Sequence, residues 1–184
     1  MPTVTILKTG LANIASVRAA FERLNARIDF AEGPEGVTDA ERLVVPGVGA
    51  FGPAVEVLNA RGLFAPLKAR IEAGRPTLGI CLGLQLFGLT SEESPGARGL
   101  GAVPLEARAL PSDRISPQMG WNRITPAAGA RLLEPGYAYF ANSFRFEAIP
   151  EGWSGALADY GGPLVAALER GQVLGCQFHP ELSG

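Results

Sequence analysis

The sequence predicts an α/β fold with a mainly parallel central sheet, flanking helices and a second half richer in β-strands. In the first half, apolar runs typical of strands alternate with segments of helical spacing. In the second half, short apolar runs are separated by glycine and proline turns. A chain of 184 residues without a linker or repeat is typical of one domain, which we expect to span 1–184.

The elements of the first half can be predicted in order. A helix behind the candidate N-cap Asn13 is indicated because apolar side chains recur there every three or four residues. The predicted series is a strand at 3–8, this helix over 13–26, strands at 27–32 and 42–46, helical pieces at 53–60 and 63–73 broken around Gly62, a strand at 76–81, and a helix from about Gly83. The β-like runs of the second half are 101–110, 114–124, 137–148, 153–161, 163–171 and 172–180.

Composition excludes some classes of function. The net charge of −2 provides no basic surface for nucleic acid or an anionic membrane. The N-terminal segment has no basic leader with an apolar stretch, and no apolar run approaches the length of a membrane span. Two cysteines make no disulfide framework or zinc set, so we expect a cytoplasmic protein without metal or cofactor.

The segment GICLG places Cys81 between two glycines, where a predicted strand meets a predicted helix. Gly-x-nucleophile-x-Gly at such a seam is the elbow geometry best known with serine, in which small flanking residues allow a sharp turn and expose the nucleophile. The N-terminal N–H groups of the following helix favour the thiolate, the reactive form of cysteine. A cysteine at a strand end is also commonly a buried structural residue. The two glycines give the nucleophile and the structural residue about equal weight.

The segment CQFHPELSG contains His179, the only histidine of the chain, after an apolar strand and two residues before Glu181. A lone histidine is usually structural. A base at the end of one strand, with a carboxylate to orient its ring, would complete a nucleophile–base–orienter set with Cys81.

The glycine-rich turn VPGVGAFG, residues 45–52, has two interpretations. Such turns often bind phosphate, but this one lacks the Lys-Ser/Thr of a P-loop and the third glycine of a dinucleotide fingerprint. Beside a cysteine nucleophile, its free N–H groups would form half of an oxyanion hole, and the N–H of Leu82 would form the other half.

Together these segments resemble the class I glutamine amidotransferases, whose fold is flavodoxin-like and whose Cys–His–Glu triad releases ammonia from glutamine. Within that class, PGVGAF, PQMGWN (117–122), YFANS (139–143) and FHPELSG look most like the glutaminase subunits of imidazole glycerol phosphate synthase. The resemblance covers essentially the whole chain. It implies a heterodimer with a cyclase subunit, to which the ammonia passes in histidine biosynthesis.

The resemblance also implies roles for individual residues. Cys81 would attack the glutamine carboxamide, His179 would transfer protons, and Glu181 would hold His179. Backbone N–H groups of Val48 and Leu82 would stabilise the oxyanion. The implied substrate contacts are Gly47, Gly49, Gln85, Glu93, Asn142, Ser143 and Phe144.

Several positions depart from the family pattern. KTGLAN (8–13) stands where relatives have Asp-Tyr-Gly-x-Gly-Asn, and NSF (142–144) stands where many have His-Ser-Tyr. Leu182 replaces a common basic residue, and the last helix of relatives has no counterpart before Gly184. We therefore expect a domain without its C-terminal helix and an altered contact with the cyclase.

Two alternatives remain open at this point. The chain would serve another synthase, such as one for anthranilate, pyridoxal phosphate or GMP, although QMGWN disfavours this. Otherwise it would be a catalytically silent scaffold subunit, which the altered KTGLAN loop motivates.

Overall fold

The computed structural model describes residues 1–10 and 12–184. Leu11, in the KTGLAN loop, lies outside the described residues. The helices are α1 (Ile14–Arg23), α2 (Pro34–Asp39), α3 (Phe51–Ala60), α4 (Phe64–Glu72) and α5 (Leu82–Gln85), with a 3-10 helix at Pro180–Leu182. The strands are β1 (Thr3–Leu7), β2 (Arg27–Ala31), β3 (Leu43–Gly47), β4 (Thr77–Cys81), β5 (Thr90–Ser91), β6 (Glu106–Ala109), β7 (Gln118–Pro126), β8 (Gly136–Asn142), β9 (Phe144–Arg145), β10 (Ser154–Asp159), β11 (Pro163–Arg170) and β12 (Val173–Cys176).

Nine strands form one mixed sheet in the order β2-β1-β3-β4-β12-β11-β10-β7-β8. The pairs from β2 to β12 are parallel, whereas those from β12 to β8 are antiparallel. The predicted parallel sheet is thus the first half of the chain, and β12 joins it to the β-rich second half. A smaller sheet has the order β5-β6-β9.

The joint between the halves positions the candidate residues. β3, β4 and β12 are parallel neighbours, with Gly47 paired to Cys81 and Ile80 paired to Cys176. The carboxyl ends of parallel strands meet at one edge of a sheet, which is where open α/β sheets bind ligands. The glycine-rich turn, the GICLG seam and the segment after Cys176 therefore converge there.

Apolar side chains cover both faces of the parallel half. On one face, α3, α4 and the turn after β4 contribute to a large core around Phe51, Leu67 and Phe87, all of which are fully buried. On the other face, α1 packs Val17 against the strands. The predicted N-cap of α1 is confirmed, because the Asn13 Oδ1 accepts a hydrogen bond from the Ser16 N–H at 3.3 Å.

Two helices differ from expectation. The sequence prediction missed α2, which is only six residues long and whose start is marked by Pro34 at its first turn. The helix after Cys81 has one turn only, and the next N–H groups, of Phe87 and Gly88, donate to the carbonyls of Leu84 and Gln85 three residues before them. None of the described helices is long and apolar enough to span a membrane.

Candidate active site

Cys81 is the last residue of β4 and has an unusual backbone conformation, with φ of 54° and ψ of −109°. Positive φ is rare for a residue with a side chain and costs about 1–3 kcal/mol, which surrounding structure must offset. Such strain clusters at functional sites. The sharp turn predicted for the GICLG seam is thus present at its central residue.

The two flanking glycines are explained by close packing. A Cβ at Gly79 would lie 2.7 Å from the Phe87 ring and 2.9 Å from the Gly83 carbonyl, and a Cβ at Gly83 would overlap the Val45 carbonyl. No larger side chain fits at either position without movement of the backbone. The expected exposure of Cys81 is wrong: the residue is only 7% exposed, because β3 and β8 enclose the turn.

A cavity of about 290 Å³ lies over this turn. It is lined by ten of the predicted site residues, namely Val48, Gly49, Cys81, Leu82, Gln85, Glu93, Asn142, Ser143, Phe144 and His179, together with Pro117 and Ala141. The sequence analysis missed these last two. Gly47 and Glu181 were predicted but are not part of the lining. Gly47 packs beneath the turn, where its Cβ would lie 2.9 Å from the Leu82 Cβ, and Glu181 lies behind His179.

His179 and Glu181 form a buried pair, with Nδ1 of the histidine 2.9 Å from Oε1 of the glutamate. The backbone of His179 is held as well, because its N–H donates to the Tyr139 carbonyl of β8 at 2.9 Å. Burial lowers the pKa of His179, but hydrogen bonds to Cys81 and Glu181 and the charges of both raise it to about 10. This arrangement favours an imidazolium beside the sulfur.

The candidate oxyanion donors directly follow two neighbouring strands, β3 and β4. Among the described residues, no acceptor is found for the Val48 N–H, which follows β3. Leu82 is the first residue of α5, and the first N–H groups of a helix have no partner within it. Both residues line the cavity.

Three of the candidate substrate residues have protein partners. The Glu93 Oε2 accepts the Phe51 N–H at the start of α3, at 2.7 Å. The Gln85 Nε2 donates to the Phe144 carbonyl at 3.2 Å, and the Asn142 Nδ2 donates to the same carbonyl at 3.1 Å. These bonds fix the walls of the cavity in place.

Gln177 is a site residue that sequence reasoning missed. It is fully buried, and its Nε2 lies 3.5 Å from the Cys81 Sγ. The available signal was a polar side chain within an apolar strand, two residues before His179. Buried amides in such runs require partners, and here the partner is the candidate nucleophile.

The site thus combines a strained cysteine, a histidine oriented by a carboxylate, and backbone donors around one small cavity. This set is suited to acyl transfer, in which a thiolate attacks a carbonyl carbon and donors stabilise the oxyanion. A carbonyl carbon that bears a leaving group, as in a carboxamide or an ester, is the substrate type that such chemistry requires.

Comparisons with known proteins agree with this chemistry. The family profile "Glutamine amidotransferase class-I" matches residues 11–184. The chain is 38% identical to the imidazole glycerol phosphate synthase subunit HisH of Symbiobacterium thermophilum, over 100% of this chain and 88% of the relative. It is 40% identical to HisH of Escherichia coli K12, over 98% of this chain and 92% of the relative. The chloroplastic synthase hisHF of Arabidopsis thaliana is also 40% identical over 98% of this chain, which corresponds to 32% of that longer protein.

Solved structures show the same fold. A structure described as a glutamine amidotransferase superposes with a TM-score of 0.78 at 22% identity, covering 97% of this chain and 90% of that one. PurLQS from Thermotoga maritima gives a TM-score of 0.73 at 16% identity, covering 98% and 88%. The predicted amidotransferase fold is confirmed. The chain belongs to the class-I glutamine amidotransferases and, within them, to the HisH glutaminase subunits of imidazole glycerol phosphate synthase.

Proposed function

We propose that Cys81, His179 and Glu181 hydrolyse glutamine to glutamate and ammonia in this HisH subunit. The observation that carries the proposal is the cavity of about 290 Å³, which is lined by the strained Cys81, by His179 with Glu181 behind it, and by eight other predicted site residues. A carboxylate behind a histidine, and a histidine beside a cysteine, is the arrangement that nucleophilic acyl transfer requires.

In the proposed reaction, the Cys81 sulfur attacks the side-chain carbonyl carbon of glutamine, and a tetrahedral oxyanion forms. His179 donates its proton to the amide nitrogen, the C–N bond breaks, and ammonia leaves behind a thioester. Water then attacks the thioester carbon while His179 accepts a proton from it. The C–S bond breaks, glutamate is released, and the thiolate–imidazolium pair is restored. Glu181 holds the ring and stabilises its charge throughout.

The N–H groups of Val48 and Leu82 are proposed to bind the oxyanion. Val48 follows β3 and Leu82 follows β4, two neighbouring strands, and both residues line the cavity with Cys81. Loss of one such donor typically costs about 10²–10³ in rate.

The substrate is proposed to be held by the cavity walls. The Glu93 Oε2 accepts the Phe51 N–H at the start of α3, which leaves Oε1 to accept from the α-ammonium group of glutamine. Gln85 and the turn at Asn142, Ser143 and Phe144 would contact the reacting end of the substrate. Gly49 would allow the backbone to approach it, whereas Gly47 allows β3 to pack closely beneath the turn.

A cyclase subunit is proposed as the partner, in a heterodimer. The side chains of Met119, Trp121 and Tyr137 on β7 and β8 are more than half exposed. β8 leads directly into the cavity wall at Asn142, so a partner on this surface would lie beside the site. Exposed apolar clusters of this kind mark interaction sites. The nine-stranded sheet through both halves supports one domain over 1–184. Free thiols at both cysteines support a cytoplasmic location, since Cys81 must stay reduced.

The test is glutamate release from glutamine, measured with the cyclase and its nucleotide ligand present. The unmodified chain should turn over, and Cys81→Ala should abolish turnover. Cys176→Ala, the same change at the buried cysteine outside the cavity, should retain it. Substantial activity in Cys81→Ala would refute the triad.

Other outcomes separate the alternatives. A stable complex with no turnover by the unmodified chain would indicate a silent scaffold. Turnover supported only by a different synthase would indicate another amidotransferase.

A further inference from the structure

We propose that Gln177 is a second hydrogen-bond donor to the catalytic sulfur, acting with His179 to hold Cys81 in its reactive thiolate form. The inference rests on the proposed glutaminase function. The amide of Gln177 reaches the sulfur with its Nε2 at 3.5 Å, from a side chain that is fully buried. Gln177 thus touches a reacting atom, whereas Glu181 acts through His179.

The orientation of the Gln177 amide follows from its neighbours. The carbonyl of Phe144 accepts hydrogen bonds and cannot donate, so the Gln85 group at 3.2 Å from it must be the NH₂. That same NH₂ lies 3.0 Å from one end of the Gln177 amide, which must therefore be the oxygen. The other end, which faces the Cys81 sulfur, is the NH₂ donor. The chain of bonds leaves one arrangement for both amides.

The backbone holds Gln177 in this position. Its N–H donates to the Ala166 carbonyl of β11 at 2.8 Å, immediately after β12 ends at Cys176. The Gln177 amide is held through both its backbone and its side chain. It therefore loses little further conformational entropy when the sulfur becomes charged. A donor fixed in advance stabilises a developing charge better than one that must reorient.

Gln177 differs from the titratable groups around the sulfur. His179 and Glu93 line the same cavity, while Glu181 and Cys176 lie close behind it. His179 gains and loses a proton during the proposed reaction. The Gln177 amide is neutral and keeps its N–H throughout, so it supports the thiolate both before attack and when the thiolate leaves the thioester.

The inference predicts two linked changes when the donor is removed. A hydrogen bond to a charged group shifts the balance toward that charged form by about tenfold. It also lowers the intrinsic nucleophilicity of the thiolate by about the square root of that factor. Loss of the donor should therefore shift ionisation of the Cys81 thiol to higher pH. The thiolate, once formed, should be more reactive.

The experiment measures the rate of Cys81 alkylation by iodoacetamide against pH, with Cys81 and Cys176 distinguished by peptide mass spectrometry. Gln177→Met keeps the length of the side chain and removes the N–H donor. Its midpoint should rise by about one pH unit and its plateau rate by about threefold. Gln172→Met makes the same change at an exposed glutamine before β12 and should leave both unchanged.

A midpoint and plateau in Gln177→Met equal to those of the unmodified chain would overturn the inference. If Gln177→Met does not fold, Gln85→Met provides the test, because it leaves the Gln177 amide in place but removes the group that orients it. That variant should show the same changes at a smaller size, and an unchanged profile would overturn the inference equally.

The readout is independent of the proposed function, since alkylation requires neither glutamine nor a partner. A chain that fails to hydrolyse glutamine can still show the Gln177 effect, in which case only the proposed function fails. Normal hydrolysis with an unaltered alkylation profile in the variant overturns the inference alone.

Discussion

The protonation of His179 provides a quantitative test of the site. The ordinary pKa of histidine is 6.5, and in this fold the pKa of His179 is raised to about 10. A rise of this size corresponds to about 5 kcal/mol of extra stabilisation of the imidazolium over the neutral ring. Burial opposes the rise, so the stabilisation comes from Cys81 and Glu181.

The contributions of the two partners can be ranked. The hydrogen bond that the ring donates to Cys81 raises the pKa of His179 more than the one that it donates to Glu181, and the charge of Cys81 raises it more than the charge of Glu181. Cys81→Ala should therefore lower the pKa of His179 further toward 6.5 than Glu181→Gln does. The unmodified chain should keep a charged ring until about pH 10.

The measurement is straightforward because the chain contains one histidine. The Cε1–H resonance of His179, followed by NMR from pH 5 to pH 11, gives one titration curve for each variant without assignment of other rings. A midpoint near 6.5 in the unmodified chain would refute the thiolate–imidazolium pair. A larger effect of Glu181→Gln than of Cys81→Ala would refute the ranking.

The same pKa predicts how stability depends on pH. The pKa of His179 is higher in the folded chain than in the unfolded chain. Its contribution to the free energy of unfolding is therefore complete below pH 6.5 and is lost as the pH rises through about 10. Urea unfolding should show that the stability lost in Glu181→Gln is greatest near pH 6 and shrinks by pH 10.

Three further predictions concern packing and hydrogen bonds. Gly83→Ala should lower the free energy of unfolding in urea by about 2–4 kcal/mol, because the new Cβ would overlap a backbone carbonyl. Gly136→Ala is the control: its Cβ would have open space, so the free energy of unfolding should change by less than about 1 kcal/mol. Glu93→Gln should raise the KM for glutamine, whereas Ser94→Ala, which removes the neighbouring bond to the start of α3, should lower thermal stability and leave the KM unchanged. Arg70→Met should lower the free energy of unfolding by about 3–5 kcal/mol, because the buried guanidinium serves four backbone carbonyls and a threonine hydroxyl that would lose their donor.

Much of the first half could be predicted because its signals are local. The spacing of apolar residues identified α1, α3 and α4 with their flanking strands, and Gly62 marked the break between α3 and α4 with a φ of +65°. The meeting of Cys81 with His179 also followed from a general rule, since ligands bind at the carboxyl ends of parallel strands. The sequence prediction missed α2, because its six residues contain too little of the helical period to be recognised.

The remaining features depend on distant pairings. Nothing local to 172–180 states that β12 pairs in parallel with β4 on one side and antiparallel with β11 on the other. That dual pairing decides which side chains after Cys176 point toward the sulfur. Gln177 is therefore recognisable as a site residue only when the strand order is known. Likewise, the resemblance assigned Glu93 to the substrate, but it did not reveal the hydrogen bond that Glu93 accepts at the start of α3.

The position of the site at the joint between the two halves of the sheet has a consequence for how it is held. Cys81 belongs to the parallel half, whereas the Tyr139 carbonyl that fixes His179 belongs to the antiparallel half. In the nine-stranded sheet, β12 pairs with β4 of the parallel half and with β11 of the antiparallel half, and Gln177 and His179 follow it in the chain. A shift of one half against the other would separate sulfur, amide and imidazole at once. The arrangement of sulfur, amide and imidazole therefore depends on the registration of β4, β12 and β8.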